Sequence, residues 1–125
     1  MKTGEIFFWN TTKARGHETR NKFHMFVRET DWQFGNTFLF ISKLNYFNDF
    51  QITKTDYPFL PLPISYISCE EPITYTDEEL ARLTLQPMGK LIDRHFDDLA
   101  NHLLGHEVME KRHIDRICKA LRAAE

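Results

Sequence analysis

The chain has 125 residues, a formal net charge of -2 and 27% charged residues. This length fits a single domain over residues 1–125, and the near-average composition excludes collagen-like, coiled-coil and disordered chains. Because the net charge is close to zero, general coating of nucleic acid by positive charge is also excluded. The composition departs from the average in its aromatic residues, which make up 14% of the chain and include 11 Phe.

The first 75 residues have the patterns of β-structure. Four segments are alternating, β-branched or aromatic, as strands are: 5–10, 22–28, 37–42 and 64–69. Within the second, Phe23, Met25 and Val27 fall on one face. Residues 46–56 predict a loop with a short strand, and the Pro-rich residues 58–63 exclude a central strand. That Pro-rich stretch is interpreted as a stiff loop, with a polyproline-type ligand for another protein as the alternative.

The remaining residues change to a helical period. Thr76 with Glu79 matches a capping box and predicts a short helix near 77–83. Residues 88–92 suggest a last strand. Asp93 is expected to cap a helix that ends at Gly105, followed by a second helix from about Glu107 to Ala123. Their apolar positions are expected in the core: Phe96, Leu99, Leu103, Ile114, Ile117, Cys118 and Leu121.

This order of elements predicts a mainly β fold with C-terminal helices. We expect a small, strongly bent β-barrel or sheet over 1–92, with the helical part over 93–125 appended to it. The Phe excess fits such a barrel, because bulky alternating side chains fill its interior.

Two groups of polar residues can carry chemistry. The polar segment 16–22 combines His17 and Glu18 with two cations, which suits proton transfer and phosphate attraction, although an ordinary solvated connection is the alternative. It belongs to a basic stretch, residues 13–28, in which five Lys and Arg oppose Glu18 alone, a local charge of +4. At the end of the strand 64–69, Glu70 and Glu71 offer a general base, with a polar turn as the alternative.

Four histidines form a row at spacings of 7, 4 and 7: His95, His102, His106 and His113. Histidines four residues apart on a helix can hold a metal. Since Gly105 interrupts the helix, we favour polar positions beside the core. Cys69 and Cys118 lack a zinc or thioredoxin-like spacing, and Cys69 is no nucleophile beside two carboxylates. We therefore expect no metal site and no cofactor.

The longest apolar run near the start, residues 6–9, is too short for a signal peptide or a membrane span. We therefore expect a cytoplasmic protein with no membrane partner.

Short motifs in a fixed order resemble the MazF/PemK family of toxin ribonucleases from toxin–antitoxin pairs, over most of residues 4–104. The motifs are Gly4-Glu5-Ile6, like the family's G-[DE]-[IV]; Gly16-His17-Glu18, like its G-H-E loop; Ser42, at its Thr or Ser position; 65–71, like its strand ending in C-D-Q; and Gly89-Lys90-Leu91, like its G-K-L. The resemblance implies an SH3-like β-barrel that works as a homodimer, here with an extra C-terminal helix.

The resemblance also implies metal-independent cleavage of single-stranded RNA, with a cognate antitoxin protein as partner. We assign His17 as general acid, Glu70 as general base, Arg20 and Lys22 as phosphate stabilisers, and Ser42 as the residue that positions a phosphate oxygen. Further RNA contacts are expected from Lys13, Arg15, Arg28 and His24, and Trp9, Trp32 and Phe34 can stack bases or lie in the core.

Two family positions differ in a way that suggests an alternative function. Phe23 and Ser68 stand where the family has arginines, one after its G-H-E loop and the other before its C-D-Q string. The alternative is a catalytically degenerate barrel that binds RNA or a protein partner without cleavage.

Overall fold

A computed structural model of the chain describes residues 1–14, 19–29 and 35–124. The strands of this part are β1 (Glu5–Thr11), β2 (Arg20–Val27), β3 (Asn36–Ser42), β4 (Phe50–Thr53), β5 (Ile64–Ile67), β6 (Ile73–Tyr75) and β7 (Gly89–Lys90). Its helices are α1 (Asp77–Ala81), α2 (Asp93–Leu104) and α3 (Lys111–Ala123). The predicted mainly β fold with C-terminal helices is confirmed.

The strands form one curled antiparallel sheet in the order β4-β5-β3-β2-β1-β7, with β6 also paired to β3. Strand β3 shares one edge between two partners: Ile41 and Ser42 pair with β5, whereas residues 36–38 pair with β6. A strand with two partners on one edge lets the sheet bend between them, which gives the half-barrel shape.

Both faces of the sheet are covered. Met25 and Val27 lie in a large core with α2 and α3, and Phe23 packs against it, so the predicted alternation in β2 is confirmed. The opposite face of β2 is also buried, because His24 and Phe26 lie beneath β6 and α1. A second, aromatic core forms there, made of Phe7, Trp9, Phe26, Phe38, Tyr75 and Leu80. Phe96 therefore lies in the first core, and Phe7, Phe26 and Phe38 lie in the second, rather than all in one barrel interior.

The two C-terminal helices bury every apolar position predicted for them. Some of the predicted element bounds are wrong. Helix α3 begins at Lys111 instead of Glu107, α1 ends at Ala81, and β7 has only two residues. The capping box at Thr76 is present, but α2 is preceded by Ile92, which makes no side-chain cap, so Asp93 is inside the helix.

Cys69 and Cys118 are both buried free thiols. None of the helices in the described part of the chain has the length and apolar character needed to cross a membrane.

Candidate functional site

A cavity of about 820 Å³ lies where β2 begins and β3 ends. Because the two strands are antiparallel and Phe23 is opposite Ile41, the next pair along the register is Lys22 and Ser42. The residues lining the cavity are Phe8, Arg20, Asn21, Lys22, Phe23, Ile41, Ser42, Lys43, Tyr46, Phe59, Pro61, Leu62 and Ser65. The structure thus brings together three residues predicted as catalytic, namely Arg20, Lys22 and Ser42.

Lys22 is the central cation of the cavity. Its Nζ donates a hydrogen bond to Ser42 Oγ at 2.9 Å and lies 5.5 Å from the centre of the Phe40 ring. Burial lowers the pKa of Lys22, and the positive charges of Arg20 and Lys43 lower it further. Among the described residues that line the cavity there is no carboxylate. An anion bound here would therefore relieve repulsion between three like charges.

The other wall of the cavity is aromatic. Phe8 packs on Phe23 with ring centres 4.5 Å apart, and Phe23 lies 5.8 Å from Phe59. Phe8 and Tyr46 remain 44% and 51% exposed, so their rings are open to a ligand in the cavity. Exposed rings beside cations form a surface on which planar, negatively charged ligands can stack.

The structure separates several other predicted residues from the cavity. Lys13 forms an ion pair with Glu79 at 3.3 Å and lies over the Tyr75 ring. Arg28 follows the far end of β2, about 25 Å from Arg20 along the strand, and lines a different cavity of about 720 Å³. The basic stretch of the sequence is therefore divided between separate surfaces.

The two predicted proton-transfer residues are not seen together in the cavity. Glu70 follows β5, donates its backbone N–H toward Ser68 Oγ, and is not among the lining residues. His17 lies outside the described residues, as do Arg15, Trp32 and Phe34.

His24, which was predicted to contact RNA, is buried in this fold and 0% exposed. Its ring stacks on Trp9, a core residue, with centres 3.5 Å apart. Nδ1 lies 2.8 Å from the Lys22 carbonyl, which can only accept, so Nδ1–H donates. Nε2 then accepts from the Tyr75 hydroxyl at 2.9 Å, and that hydroxyl lies 2.6 Å from Thr11 Oγ1. Burial lowers the pKa of His24 to about 3, so the ring is neutral at pH 7.

The histidine row does not act as one group. His95 is buried, with Nδ1 2.7 Å from the Tyr57 hydroxyl, and burial raises the pKa of Tyr57 to about 12. His113 is buried on α3. By contrast, His102 and His106 both approach Cys69, and these three side chains form a candidate metal-binding cluster.

Sequence reasoning missed Lys43, Phe8 and Tyr46 as residues of the cavity. Lys43 follows Ser42 directly, which was an available signal. No sequence signal identified Phe8 and Tyr46 as cavity residues, because an aromatic residue in the sequence does not show whether its ring is exposed or buried.

Comparison of the chain with protein-family models, curated proteins and solved structures finds no match. The resemblance to the MazF/PemK family therefore depends on its short motifs alone.

Proposed function

We propose that the chain is a single-stranded RNA-binding ribonuclease of the toxin–antitoxin kind, and that the cavity around Lys22 is its RNA site. The observation that carries the proposal is that Arg20, Lys22 and Lys43 line one cavity together with Ser42, whose hydroxyl accepts a hydrogen bond from Lys22. Such cations bind phosphate, and the exposed rings of Phe8 and Tyr46 beside them suit unpaired bases.

The proposed reaction needs no metal. A base removes the proton of a ribose 2′-OH, and the 2′-oxygen attacks the adjacent phosphorus. The bond to the 5′-oxygen breaks as an acid protonates it, which leaves a 2′,3′-cyclic phosphate and a 5′-OH. Arg20 and Lys22 would stabilise the negative charge on the phosphate oxygens. In this proposal His17 is the acid and Glu70 is the base.

The finer parts of the family resemblance belong to the same proposal. They are an SH3-like barrel, a homodimer, a cognate antitoxin and action in the cytoplasm. A basic, aromatic cavity also suits an acidic protein segment that competes with RNA, as an antitoxin would.

A second candidate function is RNA binding without cleavage. Phe23 stands at a family arginine position, and its ring forms part of the aromatic wall. Glu70, the proposed base, does not line the cavity. Both observations favour a site that holds RNA but has lost part of its catalytic machinery.

Binding is tested with a fluorescent single-stranded RNA, by anisotropy at several salt concentrations. Lys22→Gln and Lys43→Gln should each weaken binding and reduce the slope of log K against log salt by about 0.7, as expected for one lost phosphate contact. Lys111→Gln, an exposed lysine that starts α3, makes the same charge change elsewhere and should bind as the unchanged protein does. Equal weakening by all three would show that the cavity is not the site.

Cleavage is tested separately on the same RNA in the presence of EDTA. A ribonuclease yields cyclic-phosphate products, and both His17→Ala and Glu70→Ala should slow it by roughly 10²–10⁴-fold. Cleavage that survives both substitutions would reject the catalytic assignment. Salt-sensitive binding without products would select the second candidate.

A further inference from the structure

Three side chains from separate parts of the sequence converge beside the core. Cys69 follows β5, His102 lies in the last turn of α2, and His106 comes just after the helix ends. One ligand atom from each, the thiol sulfur and a ring nitrogen of each histidine, lies within 4.8 Å of the other two. Cys69 is buried and both histidines are half-buried, so the cluster can be reached from the surface on its histidine side.

Both histidine rings are oriented by the same turn of backbone. His102 Nε2 lies 2.6 Å from the Asn48 carbonyl, and His106 Nε2 lies 2.5 Å from the Phe47 carbonyl. Since a carbonyl only accepts, each Nε2 carries a proton, and Nδ1 is the nitrogen that a neutral ring can offer to a metal. Metal-bound histidines commonly donate their other ring N–H to a backbone carbonyl in this way.

The His106 ring keeps only weak contacts at Nδ1. That nitrogen accepts from the Val108 and Met109 amides at 3.2 and 3.5 Å, at and beyond the long end of hydrogen-bond lengths. A metal ion bound at Nδ1 would therefore break only these two long hydrogen bonds.

A buried carboxylate supports the same turn. Asp49 accepts from the Cys69 N–H at 2.9 Å through Oδ1, and from the Tyr46 and Phe47 amides through Oδ2. Asn48 adopts a left-handed φ of 51°, which curls the chain so that successive carbonyls meet the two histidines. A divalent cation at the cluster would balance the negative charges of Asp49 and of a Cys69 thiolate.

We propose that Cys69, His102 and His106 form a binding site for one transition-metal ion, of which Zn²⁺ is the best fit. Thiolate and imidazole ligands select zinc-like ions over Mg²⁺ and Ca²⁺, which prefer oxygen. Tetrahedral zinc separates its ligand atoms by roughly 3.3–3.6 Å, from bond lengths of about 2.0–2.3 Å. Ligand atoms that already lie within 4.8 Å need to close by at most about 1.5 Å, which side-chain rotation supplies. Three protein ligands leave the fourth position to water.

The site is tested by titrating Co²⁺ into the full, reduced, metal-free chain. Cobalt should bind at one ion per chain and give a thiolate-to-cobalt charge-transfer band in the near ultraviolet, and Zn²⁺ should remove that band. Absence of binding, or a cobalt spectrum without the thiolate band, would overturn the proposal.

Matched cysteine variants identify the ligand. Cys69→Ser should abolish the thiolate band, whereas Cys118→Ser should keep it, because Cys118 is a buried thiol that donates to the Ala100 carbonyl outside the cluster. A band that persists in Cys69→Ser, or that disappears in a folded Cys118→Ser variant, would contradict the assignment.

A histidine variant decides the question if Cys69→Ser does not fold, as judged by circular dichroism. His102→Gln changes a half-buried residue and should weaken cobalt binding at least ~100-fold, since loss of a second-shell partner alone costs about 10–100-fold. Unchanged affinity in folded His102→Gln would reject His102 as a ligand and the site with it. Lys22→Gln should leave cobalt binding intact, which separates this site from the proposed RNA site.

Discussion

Phe23 and His24 are neighbours in the sequence but lie on opposite faces of β2. Phe23 forms part of the open aromatic wall, while His24 is enclosed between Trp9 and Tyr75. Burial removes water from the imidazole, and a protonated ring there would lose its hydration without gaining a counter-charge. Lys22 is only half-buried, and it lies beside Arg20 and Lys43. Partial loss of water and repulsion from these two cations both lower its pKa, and a bound anion would offset both effects. Position on the strand thus decides which polar residue is structural and which is available to a ligand.

The buried His24 predicts acid destabilisation. Its folded-state pKa is about 3, below the usual value of about 6.5, so the stabilisation is complete above pH 6.5 and is lost as the pH falls toward 3. Between pH 7.5 and 5 the free energy of unfolding should fall by about 2 kcal/mol from this residue. His24→Phe should remove that part of the pH dependence, as measured by urea unfolding at both pH values.

Thr11→Val is the matched control for His24→Phe. It removes the other contact of the Tyr75 hydroxyl without removing a group that titrates in this range. We expect it to lower the free energy of unfolding by a similar amount at both pH values. A His24→Phe variant with the pH dependence of the unchanged protein would show that another group is responsible.

Strand β3 organises the elements of the sheet, since β2, β5 and β6 all pair with it. Gly35 precedes it with a φ of +138°, a conformation reserved for glycine. A Cβ on Gly35 would lie 2.7 Å from the Tyr75 carbonyl oxygen, in the backbone of β6. The β3–β6 junction therefore requires a residue without a side chain.

Gly35→Ala should destabilise the fold by about 2–3 kcal/mol, because it combines backbone strain with a clash against backbone. Gly105→Ala is the control, since Gly105 has a φ of -94° and nothing within 4 Å of its added Cβ. That variant should be neutral or slightly stabilising in urea unfolding of the metal-free protein. Equal effects of the two substitutions would contradict the described junction.

At the scale of the whole molecule, the residues that the structure describes form two cores that share one sheet. Strands β1, β2 and β3 contribute alternate side chains to the helix-covered core and to the aromatic core. If these strands separated, the apolar side chains of both cores would be exposed to water together. The prediction of a single domain is tested by the cooperativity of unfolding.

We expect one unfolding transition for both cores. Trp9 fluorescence, in a Trp32→Phe background, reports on the aromatic core, and far-ultraviolet circular dichroism reports mainly on α2 and α3. The two signals should have the same urea midpoint. A lower midpoint for Trp9 would show that the aromatic core unfolds separately and that the single-domain prediction is wrong.

Local sequence signals were sufficient for most of the elements and for part of the candidate site, but the strand β6 (Ile73–Tyr75) was not predicted. Alternation in β2, the capping box at Thr76 and the helical periods of α2 and α3 were all predictable, since each depends on neighbours a few residues apart. Lys22 and Ser42 were both named from the family resemblance, but the contact between them was not predicted, and the antiparallel pairing of β2 with β3 produces it. The spacing of four between His102 and His106 was visible in the sequence, but their approach to Cys69 in the candidate metal-binding cluster could not be predicted, because Cys69 lies more than 30 residues away.

The sequence by itself determined most of the strands and helices, the apolar faces that pack and the two cations at the start of β2, since backbone preference and side-chain period are local. Only the tertiary structure decided that His24 is buried, that Lys13 and Arg28 leave the candidate site, and that Lys43 and the exposed rings join it. These outcomes depend on which strands pair and how the sheet curls. Curvature and pairing bring together residues that are distant in sequence. They can also cover the second face of a sheet and so bury a polar residue such as His24.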